Sequence, residues 1–115
     1  MIMRTLKSMT ALLAFGCYVP FVFAADASVA ISSPASGAKL SRTAQTKISY
    51  DVTPGPKGDH THLYVDDDEV AVLRQLKGSQ TLESLAPGNH QICIKVVNKG
   101  HAPIGVQQCI KVSVE

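Results

Sequence analysis

The segment from Gln91 to Val114 decides the fold of this chain. It reads QICIKVV, then NKGHAPIG, then VQQCIKVSV. Apolar and polar residues alternate in both outer runs, whereas the middle run is rich in turn-forming residues. Alternation with a period of two, interrupted by Asn, Gly and Pro, is typical of a β-hairpin. The segment is therefore predicted to form two antiparallel strands joined by a loop that contains His101.

The register of this hairpin follows from its side chains. If the hairpin folds about His101, Cys93 faces Cys109, and the apolar residues of the other face also oppose one another, in the pairs Ile92–Ile110 and Val96–Val106. The two thiols then lie together on the outer face. We predict a disulfide between Cys93 and Cys109 that links neighbouring strands of one sheet.

The N-terminus predicts export. Arg4 and Lys7 precede an apolar stretch from Met9 to Phe23, and Ala24 and Ala25 follow. This order is typical of a secretory signal peptide, which assigns residues 1–24 to the signal and 25–115 to the mature domain. The apolar stretch is shorter than the ~20 residues of a membrane-spanning helix. The mature protein is thus predicted to be periplasmic or secreted, without a membrane span.

A second interpretation of the N-terminus involves Cys17. Ala14-Phe15-Gly16-Cys17 loosely resembles a bacterial lipobox, in which the cysteine is lipidated, although Phe15 is bulky for that motif. Cleavage after residue 24 instead leaves two cysteines, an even number that normally pairs in an oxidising compartment.

The mature chain reads as a series of short strands. Alternating runs at 29–31, 45–52, 60–66, 70–76, 81–85, 91–97 and 106–114 are separated by turn signals, including a tight turn at Asp67-Asp68. About seven such strands predict an all-β, immunoglobulin-like antiparallel β-sandwich. Its core is predicted to contain Ile31, Ile48, Tyr50, Val52, Leu63, Val65, Val72, Leu82, Leu85, Ile92, Ile94, Val96, Ile110 and Val112.

Three histidines are predicted to meet at one end of this sandwich. His60 and His62 begin a strand and point to one face, and His101 lies in the last hairpin loop. Such a group is a candidate site for copper or zinc, with Asp59 as a further ligand or as a partner of one imidazole. The alternative is a pair of exposed polar histidines, and the cationic residues Lys57, Lys77 and Lys99 at the same end argue against a bound cation. His90, at the other end, is expected to end a turn by hydrogen bonding.

Other functions find little support in the sequence. The run Asp66-Asp67-Asp68-Glu69 lacks the ligand spacing and glycine of an EF-hand and is interpreted as a solvated turn rather than a calcium site. No nucleophile elbow or phosphate-binding glycine loop occurs, so we do not expect an enzyme. The formal charge of +2 gives no indication of nucleic-acid binding.

The segments His60-Thr61-His62-Leu63-Tyr64-Val65-Asp66, Leu85 to His90 and His101-Ala102-Pro103 resemble a group of small exported bacterial domains. These share an H-x-H-L-x-x-D strand, an L-x-P-G-x-H turn and an H-x-P loop. The resemblance implies an immunoglobulin-like domain of unknown function and export, and it carries no activity.

Two functional hypotheses follow. The first is a non-catalytic binding module of the cell envelope that holds copper or zinc through His60, His62 and His101. The second is a structural or protein-interaction domain that contacts another envelope protein and binds no metal. An enzyme subunit or inhibitor is a weaker third alternative.

The export hypothesis has a direct test. The intact mass of protein recovered from the cell envelope should correspond to a chain that begins at Ala25, because signal peptidase cleaves after small residues. A mature species that begins at a lipidated Cys17 would contradict this prediction.

Overall fold

The computed structural model describes residues 26–115, which form two packed β-sheets. The predicted signal peptide and Cys17 lie outside these residues. No helix in the described part of the chain has the length and apolar composition needed to cross a membrane. The strands are β1 (Ser28–Ser33), β2 (Lys39–Leu40), β3 (Thr46–Thr53), β4 (His60–Val65), β5 (Asp68–Leu73), β6 (Lys77–Leu82), β7 (Gly88–Val97) and β8 (Pro103–Val114).

The sheet topology confirms the predicted sandwich. One sheet has the order β1-β3-β6 and the other the order β2-β8-β7-β4-β5. The unpredicted strand is β2, which pairs parallel with β8 over only two residues. It forms because the chain crosses between the sheets after β1, where Gly37 N–H donates to the Lys111 carbonyl and Ser113 N–H donates to the Ala38 carbonyl.

The core lies between the sheets, where alternating side chains of both inner faces meet. Ile48 of β3, Leu63 of β4 and Ile92 and Ile94 of β7 are completely buried. Burial of such apolar surface is the main force that holds the two sheets together. Twelve buried side chains form this cluster, namely Ile48, Tyr50, Val52, Leu63, Val65, Leu73, Leu82, Ile92, Ile94, Val96, Ile110 and Val112. Ile31 and Leu85, also predicted in the core, are only partly buried and pack against it.

The predicted hairpin register is confirmed over most of its length. Ile92 pairs with Ile110 and Cys93 with Cys109, and the two sulfur atoms are bonded at 2.04 Å. The predicted Val96–Val106 pair is not formed, because the register shifts between Lys95 and Val97. Such a bulge inserts an extra residue, which alternation alone does not reveal.

Two details of the edge strands differ from the sequence prediction. The turn after β4 is formed by Asp66 and Asp67, both with positive φ (51° and 71°), rather than by Asp67-Asp68. Positive φ at both central residues is the geometry of a tight hairpin turn. A bulge in the β4–β5 ladder then places Leu73 in the core, so the prediction of a buried Val72 is wrong and this side chain is 40% exposed.

The next strand is also shifted. β6 spans Lys77–Leu82, where a turn at Lys77-Gly78 and a strand at 81–85 were expected. Its partner β3 explains the shift, since Lys77 to Leu82 pair continuously with Asp51 to Thr46. Pairing with a long central strand thus overrides the local turn signal of Gly78.

Asp66 and His90 hold the turn after β4 against β7. The Asp66 carboxylate contacts His90 Nδ1 at 2.5 Å and accepts a hydrogen bond from the Gln91 N–H, while His90 Nε2 lies 2.7 Å from the Ala86 carbonyl. Hydrogen bonding to Asp66 raises the pKa of His90 above its usual 6.5, and hydrogen bonding to His90 lowers the pKa of Asp66 below its usual 3.8. The expected turn-ending role of His90 agrees with these contacts.

The disulfide should contribute stability through the unfolded state. It closes a loop with a sequence separation of 16, for which the chain-entropy model gives about 3 kcal/mol. Replacing both Cys93 and Cys109 by Ala should therefore lower the free energy of unfolding in urea by about that amount. Reduced native protein serves as the control and should lose a similar amount. Two reactive thiols in unfolded, unreduced protein would contradict the bond.

The Asp66–His90 pair should make stability depend on pH. Because the pKa of His90 is raised in the folded protein, protonated His90 stabilises the fold. This stabilisation is complete below pH 6.5 and is lost as the pH rises through the higher pKa of the folded state. The lowered pKa of Asp66 gives a contribution that is complete above pH 3.8 and is lost on further acidification. Asp66→Asn should thus destabilise more at pH 5.5 than at pH 8.5, by about 1 kcal/mol or less because the Asp66 side chain is 47% exposed and its charge is screened by solvent.

Asp67→Asn is the matched control for this measurement. Asp67 occupies the adjacent turn position, also with positive φ, which Asn tolerates. The comparison uses urea unfolding of the native protein and both variants at the two pH values. An equal loss of stability at both values in Asp66→Asn would contradict the proposed linkage.

Candidate metal centre

Two of the three histidines owe their position to the start of β4. Side chains alternate along a strand, so His60 and His62 share the outer face while Thr61 and Leu63 point inward. In the ladder with β7, His60 pairs with Val97 and His62 with Lys95. Both imidazoles are nevertheless buried, with 2% and 4% of their surface exposed.

The third histidine is held by the loop between β7 and β8. Asn98 organises this loop: its side-chain oxygen accepts hydrogen bonds from the N–H groups of Gly100 and Ala102, and its carbonyl accepts one from His101 N–H. His101 itself has a φ of 67°, an uncommon conformation for a residue with a side chain. Such conformations cluster at functional sites, where the surrounding structure maintains them.

The three rings bring one nitrogen each to a common point. His60 Nε2 and His62 Nε2 are 3.2 Å apart, and His101 Nδ1 lies 3.2 Å and 3.1 Å from them. His60 and His62 are buried, whereas His101 is exposed. The predicted convergence of these three side chains is therefore present in the structure.

A carboxylate lies behind the first of these rings. Asp59 Oδ2 is 2.8 Å from His60 Nδ1, the nitrogen that points away from the other two histidines. Asp59 is itself fixed because its N–H donates to the Val97 carbonyl. The preceding Gly58 packs so closely that an added Cβ would lie 2.2 Å from the Pro54 carbonyl oxygen. The backbone thus positions Asp59 as a partner of His60.

A second carboxylate lies behind His62, and the sequence analysis did not assign it. Glu69 Oε1 of β5 is 2.8 Å from His62 Nδ1. The contact is short but out of line for a hydrogen bond, so His62 Nδ1 is a buried atom without a hydrogen-bond partner. The Glu69 side chain is 45% exposed. Its carboxylate nevertheless lies close enough to His62 for its negative charge to act on the ring, even without a hydrogen bond.

The carboxylates determine where protons sit on the two buried rings. A carboxylate accepts hydrogen bonds, so Asp59 favours the proton of a neutral His60 on Nδ1 and leaves Nε2 with a lone pair. The negative charge of Glu69, 2.8 Å from His62 Nδ1, also favours a proton on that nitrogen, although no hydrogen bond joins the two groups. With both Nδ1 atoms protonated, the Nε2 atoms of His60 and His62 can only accept, and His101 Nδ1 lies within hydrogen-bond distance of both. A cation at the common point would satisfy all three nitrogens.

The spacing of the nitrogens fits a tetrahedral metal ion. A bond between zinc and an imidazole nitrogen is about 2.0–2.1 Å long. The bond length and the distance between two nitrogens together determine the N–metal–N angle, because half that distance divided by the bond length is the sine of half the angle. Separations of 3.1–3.2 Å give angles of roughly 100°, close to the tetrahedral value of about 109°. The three nitrogens can therefore occupy three corners of a tetrahedron around one ion.

Sequence reasoning found the histidines but missed two supporting residues. Glu69 was interpreted as part of the solvated acidic turn. The turn was predicted at Asp67-Asp68, one residue too late, and with that turn Glu69 is not expected beside His62. A two-residue turn at Asp66-Asp67 would have paired Glu69 with Tyr64 on the outer face, as observed. Asn98 carries an ordinary loop signal and offered no indication of its role. Lys77, expected to repel a cation, lies 3.9 Å from the carboxylate of Asp51 on the other sheet.

Two surface pockets lie apart from the histidine cluster. One, of about 540 Å³, is lined by residues that include Asp66, His90 and Lys111. The other, of about 500 Å³, is lined by residues that include Val70 of β5 and Leu82 of β6. Neither is lined by the three histidines, so the cluster is a compact ligand set rather than the wall of either pocket.

Comparison with known proteins supports the fold. No protein-family model matches the sequence, and a search of characterised proteins gives no match. Among solved structures, the chain is similar to one described as "Structures of Clostridium thermocellum CbhA fibronectin(III)-like modules", with a TM-score of 0.64 and 17% identity. The match covers 76% of this chain and 96% of that one. The chain thus has the sandwich fold of a fibronectin III-like module.

Proposed function

We propose that this protein is an exported, non-catalytic binding module of the cell envelope that holds copper or zinc through His60, His62 and His101. One observation carries the proposal: three imidazole nitrogens converge within 3.2 Å of one another, and carboxylates lie behind two of the rings. Imidazoles that bind metals commonly donate their other N–H to a carboxylate, which fixes the ring and strengthens the ligand.

The ligand set favours transition metals over calcium or magnesium. Imidazole nitrogen suits zinc and copper, whereas calcium and magnesium prefer oxygen ligands. Asp59 and Glu69 contact the Nδ1 atoms of His60 and His62, which leaves three nitrogens as the described ligand group. An ion on this tripod would keep one position for water or for a donor from a partner, as three-ligand zinc sites do.

Export and the absence of catalysis rest on separate arguments. A disulfide is stable in oxidising compartments, so the Cys93–Cys109 bond suits a periplasmic or secreted protein. The similar solved structure is described as a module, which fits a binding or spacer role. The outer-face position of the histidines, away from both pockets, supports ion binding more than catalysis on an enclosed substrate.

The second candidate is a protein-interaction domain without metal. It is favoured by β5, which is the edge of the larger sheet and carries the exposed apolar side chains Val70 (49%) and Val72 (40%). An uncovered edge strand offers unpaired backbone groups to another chain. Pairing at this edge would need no histidine, which separates the two hypotheses experimentally.

Calorimetric titration of the tag-free protein with Zn(II) and Cu(II) tests the metal hypothesis. We expect saturable one-to-one binding that is lost in His62→Ala, because removing one of three ligands destroys the tripod. Bound metal should also stabilise the fold, by about 2.7 kcal/mol when free metal is 100 times the dissociation constant.

His90→Gln is the matched control for this titration. His90 is the remaining histidine and contacts Asp66 and Ala86 rather than the cluster. Binding should survive in this variant. The absence of heat with the native protein, or equal binding by native and His62→Ala proteins, would leave the interaction domain as the better account.

A further inference from the structure

The charge around the three histidines has a consequence for which ion they hold. Asp59 and Glu69 each place a carboxylate oxygen 2.8 Å from an Nδ1 atom of His60 or His62. Each imidazole relays that charge, since the nitrogen facing the carboxylate and the nitrogen facing the ion belong to one conjugated ring. Two negative charges therefore act on the point where the nitrogens converge.

We propose that Asp59 and Glu69 make this a site for a divalent cation, Zn(II) or Cu(II), in preference to monovalent Cu(I). The inference rests on the proposed metal-binding function. Two carboxylates balance the charge of a divalent ion, whereas a monovalent ion leaves one negative charge beside two buried rings. The attraction between each carboxylate and the ion grows with the charge of the ion, so the pair of carboxylates favours the divalent ion.

No lysine or arginine in the described part of the chain forms an ion pair with Asp59 or Glu69. The lysine opposite His62 in the ladder is Lys95, and its ammonium lies 4.4 Å from the centre of the Tyr64 ring. The two ion pairs that lysines form in the described part of the chain use Glu115 and Asp51. The ion-pair contacts of Asp59 and Glu69 within this part of the chain are those with His60 and His62.

A carboxylate that acts through its charge and one that only orients its imidazole should change the two metal affinities differently. The Coulomb energy between a carboxylate and an ion scales with the charge of the ion. If removal of one such partner lowers Zn(II) affinity about 10- to 100-fold, the same substitution should lower Cu(I) affinity by about the square root of that factor, roughly 3- to 10-fold. A residue that only orients its imidazole would change both affinities by the same factor.

The experiment measures both affinities for the native protein, Asp59→Asn and Glu69→Gln. Zn(II) affinity is obtained by competition with a chromophoric zinc chelator, and Cu(I) affinity by anaerobic competition with a copper(I) chelator. We expect the ratio of Zn(II) to Cu(I) affinity to fall about 3- to 10-fold in each variant. Because both ions are measured on the same folded variant, partial unfolding lowers both affinities together and does not mimic the change in ratio.

Asp51→Asn is the matched control, since this carboxylate lies on the other sheet and its Oδ2 is 3.9 Å from Lys77 Nζ. It should leave the ratio unchanged. Equal losses for Zn(II) and Cu(I) in both site variants would overturn the charge proposal while leaving the metal site intact. Failure of the native protein to bind either ion would instead overturn the proposed function, and this inference with it.

Discussion

The pairing of β7 with β4 on one side and β8 on the other is the constraint on which the structure depends. Because side chains alternate along each strand, this register sets both faces of the larger sheet at once. Leu63 and Ile94 are brought together in the core, while Tyr64 and Cys93 meet on the outer face. A shift of one residue would turn the histidines into the core and the core residues toward solvent. The packing of apolar side chains on the inner face therefore also determines where the polar side chains of the outer face lie.

The same constraint explains how much could be predicted from the sequence. The β7–β8 hairpin was readable because strong alternation and a loop signal coincide, and the disulfide and the His60, His62, His101 group followed from it. The bulges could not be predicted from the sequence, because an extra residue in one strand has no characteristic local sequence pattern. One of them turned Val72 outward. Glu69 was missed for a different reason: it pairs with Tyr64 on the turn side of the bulge, and the turn lies at Asp66-Asp67, one residue earlier than expected.

The residues of the candidate centre come from both the larger sheet and the segments that connect its strands. The ladder supplies two buried imidazoles, the segment before β4 supplies Asp59, and the edge strand β5 supplies Glu69. The fibronectin III-like fold requires none of these groups, since a sandwich is stable with any polar residues on an outer face. Two imidazole nitrogens that can only accept, 3.2 Å apart, disfavour the folded state unless a proton or a cation lies between them. Such a local conflict on an otherwise consistent scaffold is an argument in support of the proposed cation site.

The unequal anchoring of the three histidines has a consequence for exchange. His60 and His62 are buried in a paired strand, whereas His101 is exposed on a loop maintained by a few hydrogen bonds of Asn98. Loops of this kind open at lower free-energy cost than paired strands. An ion on the tripod would therefore be released through an intermediate in which His101 has left and two nitrogens remain. Its residence time would be set by the loop, independently of how strongly the two sheets hold together.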